Sequence, residues 1–157
     1  MSSDPQSAIH SSAGSSSPPA DRDLAEVVRL RGAPLLDALE AHLPGSRDHA
    51  EATGGHAFAA AVGIGLDRIA AEVCRETAKL HDVGMVYVPA AAMASPFEEW
   101  DAEQRAAFDA HYEAGARLAL GAGIPDDVCG WLLQIRERFD GDVSTRVLSA
   151  LLTAEVA

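Results

Sequence analysis

Residues 69–84 read Ile69-Ala70-Ala71-Glu72-Val73-Cys74-Arg75-Glu76-Thr77-Ala78-Lys79-Leu80-His81-Asp82-Val83-Gly84. Ile69, Val73, Thr77 and Leu80 recur at steps of four, four and three, the period of one face of an α-helix. That apolar face runs into His81-Asp82, so the spacing predicts a helix that delivers an imidazole and a carboxylate side by side. Such a pair suits zinc, iron or manganese, and a metal held there can bind phosphate oxygens or activate water. By itself the dipeptide is weak evidence, because most His-Asp pairs are ordinary surface or helix-end residues. Its meaning depends on the other ligands that the chain brings near.

Helical periods continue on both sides. Toward the N-terminus, Leu24, Val27 and Val28 begin a helix that is expected to break at Gly32 and start again at Pro34, followed by Leu35, Leu36, Leu39 and Leu43. Pro44-Gly45 ends it, and an Ala-rich helix from about Arg47 to Val62 carries Gly54-Gly55, small residues that suggest close packing. Ile64-Gly65-Leu66 makes the next break. Beyond the His-Asp pair, Val83 to Met93 holds no period and is expected to be a loop packed on the core. A helix from about Asp101 to Leu120 sets Phe108, His111, Tyr112, Gly115 and Leu118 on one face, which points His111 inward. After Gly121–Gly123, Pro125-Asp126-Asp127 opens a helix with Val128, Trp131, Leu132, Ile135 and Phe139 as its stripe. Asp140-Gly141-Asp142 reads as a turn, and Ser144 as the cap of a last helix with Val147, Leu148 and Leu151. The expected fold class is all-α, a bundle of six or seven helices.

Composition narrows the setting. A chain of 157 residues, 48% hydrophobic, can bury one sizeable core. Twelve Lys plus Arg against 24 Asp plus Glu give a net charge of −12, a field that repels polyanions and argues against nucleic acid as a partner. Cys74 and Cys129 are isolated and read as buried free thiols of a reducing compartment. With no apolar run of membrane-spanning length and no secretory signal pattern, the expectation is a cytoplasmic protein without a membrane partner. Residues 1–20 hold eight Ser, three Pro and one Gly, with Ile9 the only large aliphatic side chain besides Met1. They are expected to form a disordered tail, with His10 solvated. The helical domain is then 21–157.

Several motifs stand in one order. His49 lies ahead of Ile64-Gly65-Leu66, His81-Asp82 follow, Val88-Pro89 and Pro96 come next, then His111 with Gly115, and finally Gln134 to Gly141. From about Leu35 onward this order resembles a shortened HD-GYP domain of the HD metal-dependent phosphohydrolase superfamily, whose better-known members hydrolyse cyclic di-GMP. The resemblance implies an HD-domain helical bundle with His49, His81, Asp82 and His111 as metal ligands, and Asp82 as the catalytic group if the protein is active.

The departures fall on the metal site and the substrate loop. Ile135 and Arg136 stand where the family has adjacent histidines, Met85 where it has a lysine, Leu152 where it has a closing aspartate, and Gly45 where it has an acidic ligand. The Gly-Tyr-Pro loop is absent. What remains is enough for one divalent metal, iron, manganese or zinc, or for none; a second would have only His111 and a shared Asp82. Ile135 reads as a core filler continuing its stripe. Arg136 is either a solvated surface residue or a cation that replaces a metal's charge beside Asp82 and helps to bind substrate. The resemblance therefore implies a degenerate regulatory or binding module in signalling, with a protein or a small nucleotide as partner. The alternative is a mononuclear phosphohydrolase acting on a small phosphomonoester or nucleotide. His56 shares the face of His49 and reads as a core or supporting residue, His42 as solvated, Glu98, Glu99 and Asp101 as an exposed acidic turn, and Trp100 and Trp131 as core or groove residues.

Overall fold

The computed structural model describes residues 21–135. The tail expected at residues 1–20, Arg136, Phe139, the turn at Asp140-Gly141-Asp142, the last helix and Leu152 lie outside the described residues. Within them the fold is all-α: six helices, α1 (Asp21–His42), α2 (Ser46–Gly63), α3 (Arg68–Ala78), α4 (Ala90–Met93), α5 (Ala102–Gly121) and α6 (Asp126–Gln134), with 3-10 turns at Val83–Tyr87 and Phe97–Glu99. No strand occurs among the described residues, and none of these helices is long and apolar enough to cross a membrane.

α3 packs against α1 and α2, while α5 packs against the Val83–Tyr87 turn and α6. The main core joins Val28 and Leu36 of α1, Ala50 of α2, Leu80 and Val83 of the central crossing, Ala116 and Ala119 of α5, and Val128 and Leu132 of α6. Burying its Val and Leu side chains stabilises the fold by roughly 1.5–3 kcal/mol each.

α1 corrects the expected break at Gly32 and fresh start at Pro34, because it is one helix with Pro34 inside it. A Cβ on Gly32 would stand 2.7 Å from Leu80 Cδ2, so the glycine's bare surface is where α1 accepts the Leu80 side chain. Pro34 is exposed, and its missing N–H frees a carbonyl on the solvent side, which keeps the interruption of the ladder tolerable. The expected loop from Val83 to Met93 is instead a 3-10 turn followed by the short α4. Its apolar residues earn no period because Met85 and Val88 fill a second core cluster with Leu39 from single turns. His42, expected to be solvated, is half-buried with Nε2 2.7 Å from the Val88 carbonyl oxygen, tying the end of α1 to this turn.

α5 begins with a reciprocal cap: the Asp101 carboxylate accepts from the Gln104 N–H while the Gln104 side chain accepts from the Asp101 N–H. Trp100 is buried, packed with Phe97 and Phe108, and Arg105 lies 5.0 Å over the Phe97 ring while donating to the carbonyls of Trp100 and Glu98. Cys129 is buried as expected, whereas Cys74 is only partly so. Ile135 is 44% exposed, which corrects its reading as a core filler: α6 ends at Gln134, so the periodic stripe no longer binds its direction.

Candidate metal centre

α3 stops at Ala78, three residues short of His81 where the sequence pattern carried the helix, so His81 and Asp82 sit in the turn beyond it. The turn has its own anchors. Lys79 and Leu80 N–H groups donate to Arg75 and Thr77 carbonyls, His81 N–H to Ala78, and the Met85 N–H to the Asp82 carbonyl at 2.8 Å. Leu80 plugs into the core, and His81 and Asp82, which follow it directly, are half-buried.

His49 comes from the first turns of α2. Gly45 precedes that helix at φ 94°, a left-handed conformation that glycine adopts without strain and that carries no capping side chain. Glu40 of α1 supplies the cap, accepting from the N–H of Gly45 at 3.0 Å and of Arg47 at 2.8 Å, and from the Ser46 hydroxyl at 3.3 Å. These bonds hold the Glu40 carboxyl below its ordinary pKa. Arg47 in turn pairs with Asp37. His111 comes from the middle of α5, its ring 4.8 Å from Phe108 and 3.8 Å from Tyr112 between centroids.

The four side chains meet at Asp82. His49 Nε2 lies 3.2 Å from His81 Nε2; these two nitrogens are 3.4 Å and 3.0 Å from Asp82 Oδ2. His111 Nε2 approaches the other oxygen, Oδ1, at 3.6 Å. His49, His81 and Asp82 form the group of metal-competent side chains among the described residues, with one ligand atom each inside 4.8 Å. His111 thus joins the cluster across the carboxylate rather than at the same point.

Ring tautomers sharpen this geometry. A carbonyl oxygen only accepts, so the His81 Nδ1 that lies 2.9 Å from Ala78 O carries a proton, and the His111 Nδ1 bonded to Phe108 O does too. With Nδ1 so engaged, each ring turns Nε2 toward Asp82, and an unprotonated Nε2 there presents a lone pair to the carboxylate. His111 Nε2 is buried without a hydrogen-bond partner. Two acceptors facing each other call for a cation between them, either a proton or a metal. For Asp82, burial pushes the pKa up, but the imidazoles of His111 and His81 outweigh it and hold the carboxyl well below the usual range. For His81, burial lowers the pKa and the Asp82 carboxylate with the Ala78 carbonyl more than restores it, so the net shift is upward.

A metal fits this set. Ligand atoms about 2.1 Å from one divalent ion stand about 3.0–3.4 Å apart around it, and the distances among His49, His81 and Asp82 fall in that range. The other sequence candidates stand apart. His56 is exposed on α2 and outside the ligand group, and Arg136 lies outside the described residues. Gly45 is the helix-capping turn just described, and Met85 is buried with Leu39 and Val88, a place suited to no lysine. Sequence reasoning missed Glu40, whose role needs two backbone N–H groups and a serine hydroxyl brought to it by a turn, and it missed the contact of Gly84 with α5.

Comparisons with family models, with curated proteins and with solved structures returned no match.

Proposed function

We propose that this chain is a metal-binding module resembling a shortened HD-GYP domain, which holds one divalent ion through His49, His81 and Asp82 and acts in signalling by binding a protein partner or a small nucleotide. The observation that carries the reading is the division of Asp82: Oδ2 faces two imidazoles, while Oδ1 faces His111 alone. Three ligands suit one ion; a carboxylate oxygen and one imidazole are too few for a second. A bound metal would supply a Lewis-acidic charge for an anionic group. The chain's own residues orient it, His81 and His111 through the carbonyls of Ala78 and Phe108, His49 through the capped start of α2. Among the described residues, Lys79 and Arg47 are engaged elsewhere: Lys79 Nζ is 3.0 Å from both Glu51 and Glu76, and Arg47 pairs with Asp37. That arrangement favours binding over stabilising charge that develops in phosphoryl transfer.

The test is metal content and turnover. Protein titrated with zinc, manganese or ferrous iron is expected to take up one equivalent and to leave cyclic di-GMP intact when the mixture is separated by chromatography. Two equivalents with turnover that disappears in Asp82→Ala would overturn the reading. A second reading, a mononuclear phosphohydrolase of small phosphomonoesters, is favoured by the openness of the site, since the His49 side chain is 58% and that of Asp82 30% exposed. Phosphate released from nucleoside monophosphates by the metal-loaded protein, and lost in His49→Ala, would establish it.

A further inference from the structure

Gly84 and Gly115 meet where the Val83–Tyr87 turn crosses α5. A Cβ on Gly84 would stand 1.9 Å from the His111 carbonyl oxygen and 2.6 Å from Gly115 N. Both are backbone atoms, so no side-chain rotation relieves the overlap. A Cβ on Gly115 would stand 3.1 Å from Gly84 N and 3.5 Å from Val83 Cγ2, a milder conflict that asks for a shift of a few tenths of an ångström. The turn cannot yield freely, because the Asp82 carbonyl accepts from Met85 N–H and Val83 N–H donates to Leu80. Any displacement at Gly84 is therefore passed to Asp82, two residues earlier in the same hydrogen-bonded turn.

We propose that Gly115 is a positioning residue for the metal centre: its bare backbone seats Gly84 on α5 and thereby fixes Asp82 against the imidazoles of His49, His81 and His111. This rests on the metal-binding reading above. Metal sites tolerate ligand displacements of only about 0.2 Å, so a shift that the fold survives is already large for the site. The effect is distinct from general loosening, because it acts through one carboxylate to which all three rings point.

The experiment compares zinc and manganese titrations of the wild type, Gly115→Ala and Val128→Ala, each also followed by chemical denaturation. Val128 is fully buried in α6 and is no part of the ligand cluster, so its truncation lowers stability alone. Gly115→Ala is expected to bind about 10–100-fold more weakly than the wild type, as changes behind metal ligands do, while Val128→Ala binds as the wild type does. Gly84→Ala, with its 1.9 Å overlap, is expected not to fold, and Gly115→Ala keeps the inference open to refutation without it. A wild type that binds both metals, with Gly115→Ala equal to it or weakened no more than Val128→Ala, overturns the positioning role and leaves the metal-binding reading standing. A wild type that binds neither overturns both.

Discussion

The His49 side chain is 58% exposed on the first turns of α2, whereas His111 is 1% exposed in the middle of α5, and both face the same carboxylate. His111 is set by packing: its ring lies between Phe108 and Tyr112, its Nδ1 is bonded to Phe108 O, and the backbone beneath it touches Gly84. His49 is set by polar bonds at a helix start, through Glu40 and the Arg47–Asp37 pair. The buried half is thus rigid because little can move without opening the core, and the exposed half is held by bonds that water can replace. An ion would join a fixed side to an adjustable one.

Asp82→Ala should break the comparison altogether, since both halves lose their common partner; metal affinity is expected to fall by more than about 100-fold, beyond what groups behind the ligands cost, as titration calorimetry would register. Truncating each half separately should expose the asymmetry. His111→Ala removes a buried ring and is expected to destabilise the metal-free protein by about 2–5 kcal/mol in denaturant melts, whereas His49→Ala should stay within about 0.5 kcal/mol yet still lose the metal. Equal stability losses for the two would contradict the division.

pH sharpens the contrast between the metal-free and loaded states. The His81 pKa is raised above its ordinary 6.5 in the fold, so its contribution is fully present below that value and is lost as pH rises through the folded pKa. Asp82 is shifted the other way, so its contribution is present above its ordinary 3.8 and is lost as pH falls toward the folded pKa. Metal-free protein should therefore lose stability as pH climbs above 6.5, while metal-loaded protein gains over the same range, because ligation needs the deprotonated ring. Thermal melts with and without zinc would give the two slopes, and slopes of the same sign would refute the shared role of His81.

The smallest effect is expected at Glu40. Glu40→Ala removes the acceptor for the start of α2 and should weaken metal binding by less than about tenfold, the low end for a group behind a ligand; Glu40→Gln, which keeps one oxygen, should lie closer to wild type. A loss as large as that of Asp82→Ala would show the exposed half to be as rigid as the buried one.

Much of this molecule was legible from the chain. Apolar residues at helical steps determined the all-α class, the inward face of α5 and the burial of His111, because periodicity records which side of a helix meets the core, a property of neighbours in sequence. The order of motifs also picked out His49, His81, Asp82 and His111. Local rules failed where a distant segment decided the outcome. Gly32-Ala33-Pro34 has the signals of a break and lies inside α1, since its glycine receives Leu80; His42 has the look of a solvated helix end and reaches Val88, 46 residues away. Only the tertiary structure settled which oxygen of Asp82 each imidazole faces and how closely the turn at Gly84 lies on α5. Those are distances between elements, set by how bare backbones and plugged side chains fit together, and a sequence period carries the direction of a side chain but not the separation of two segments.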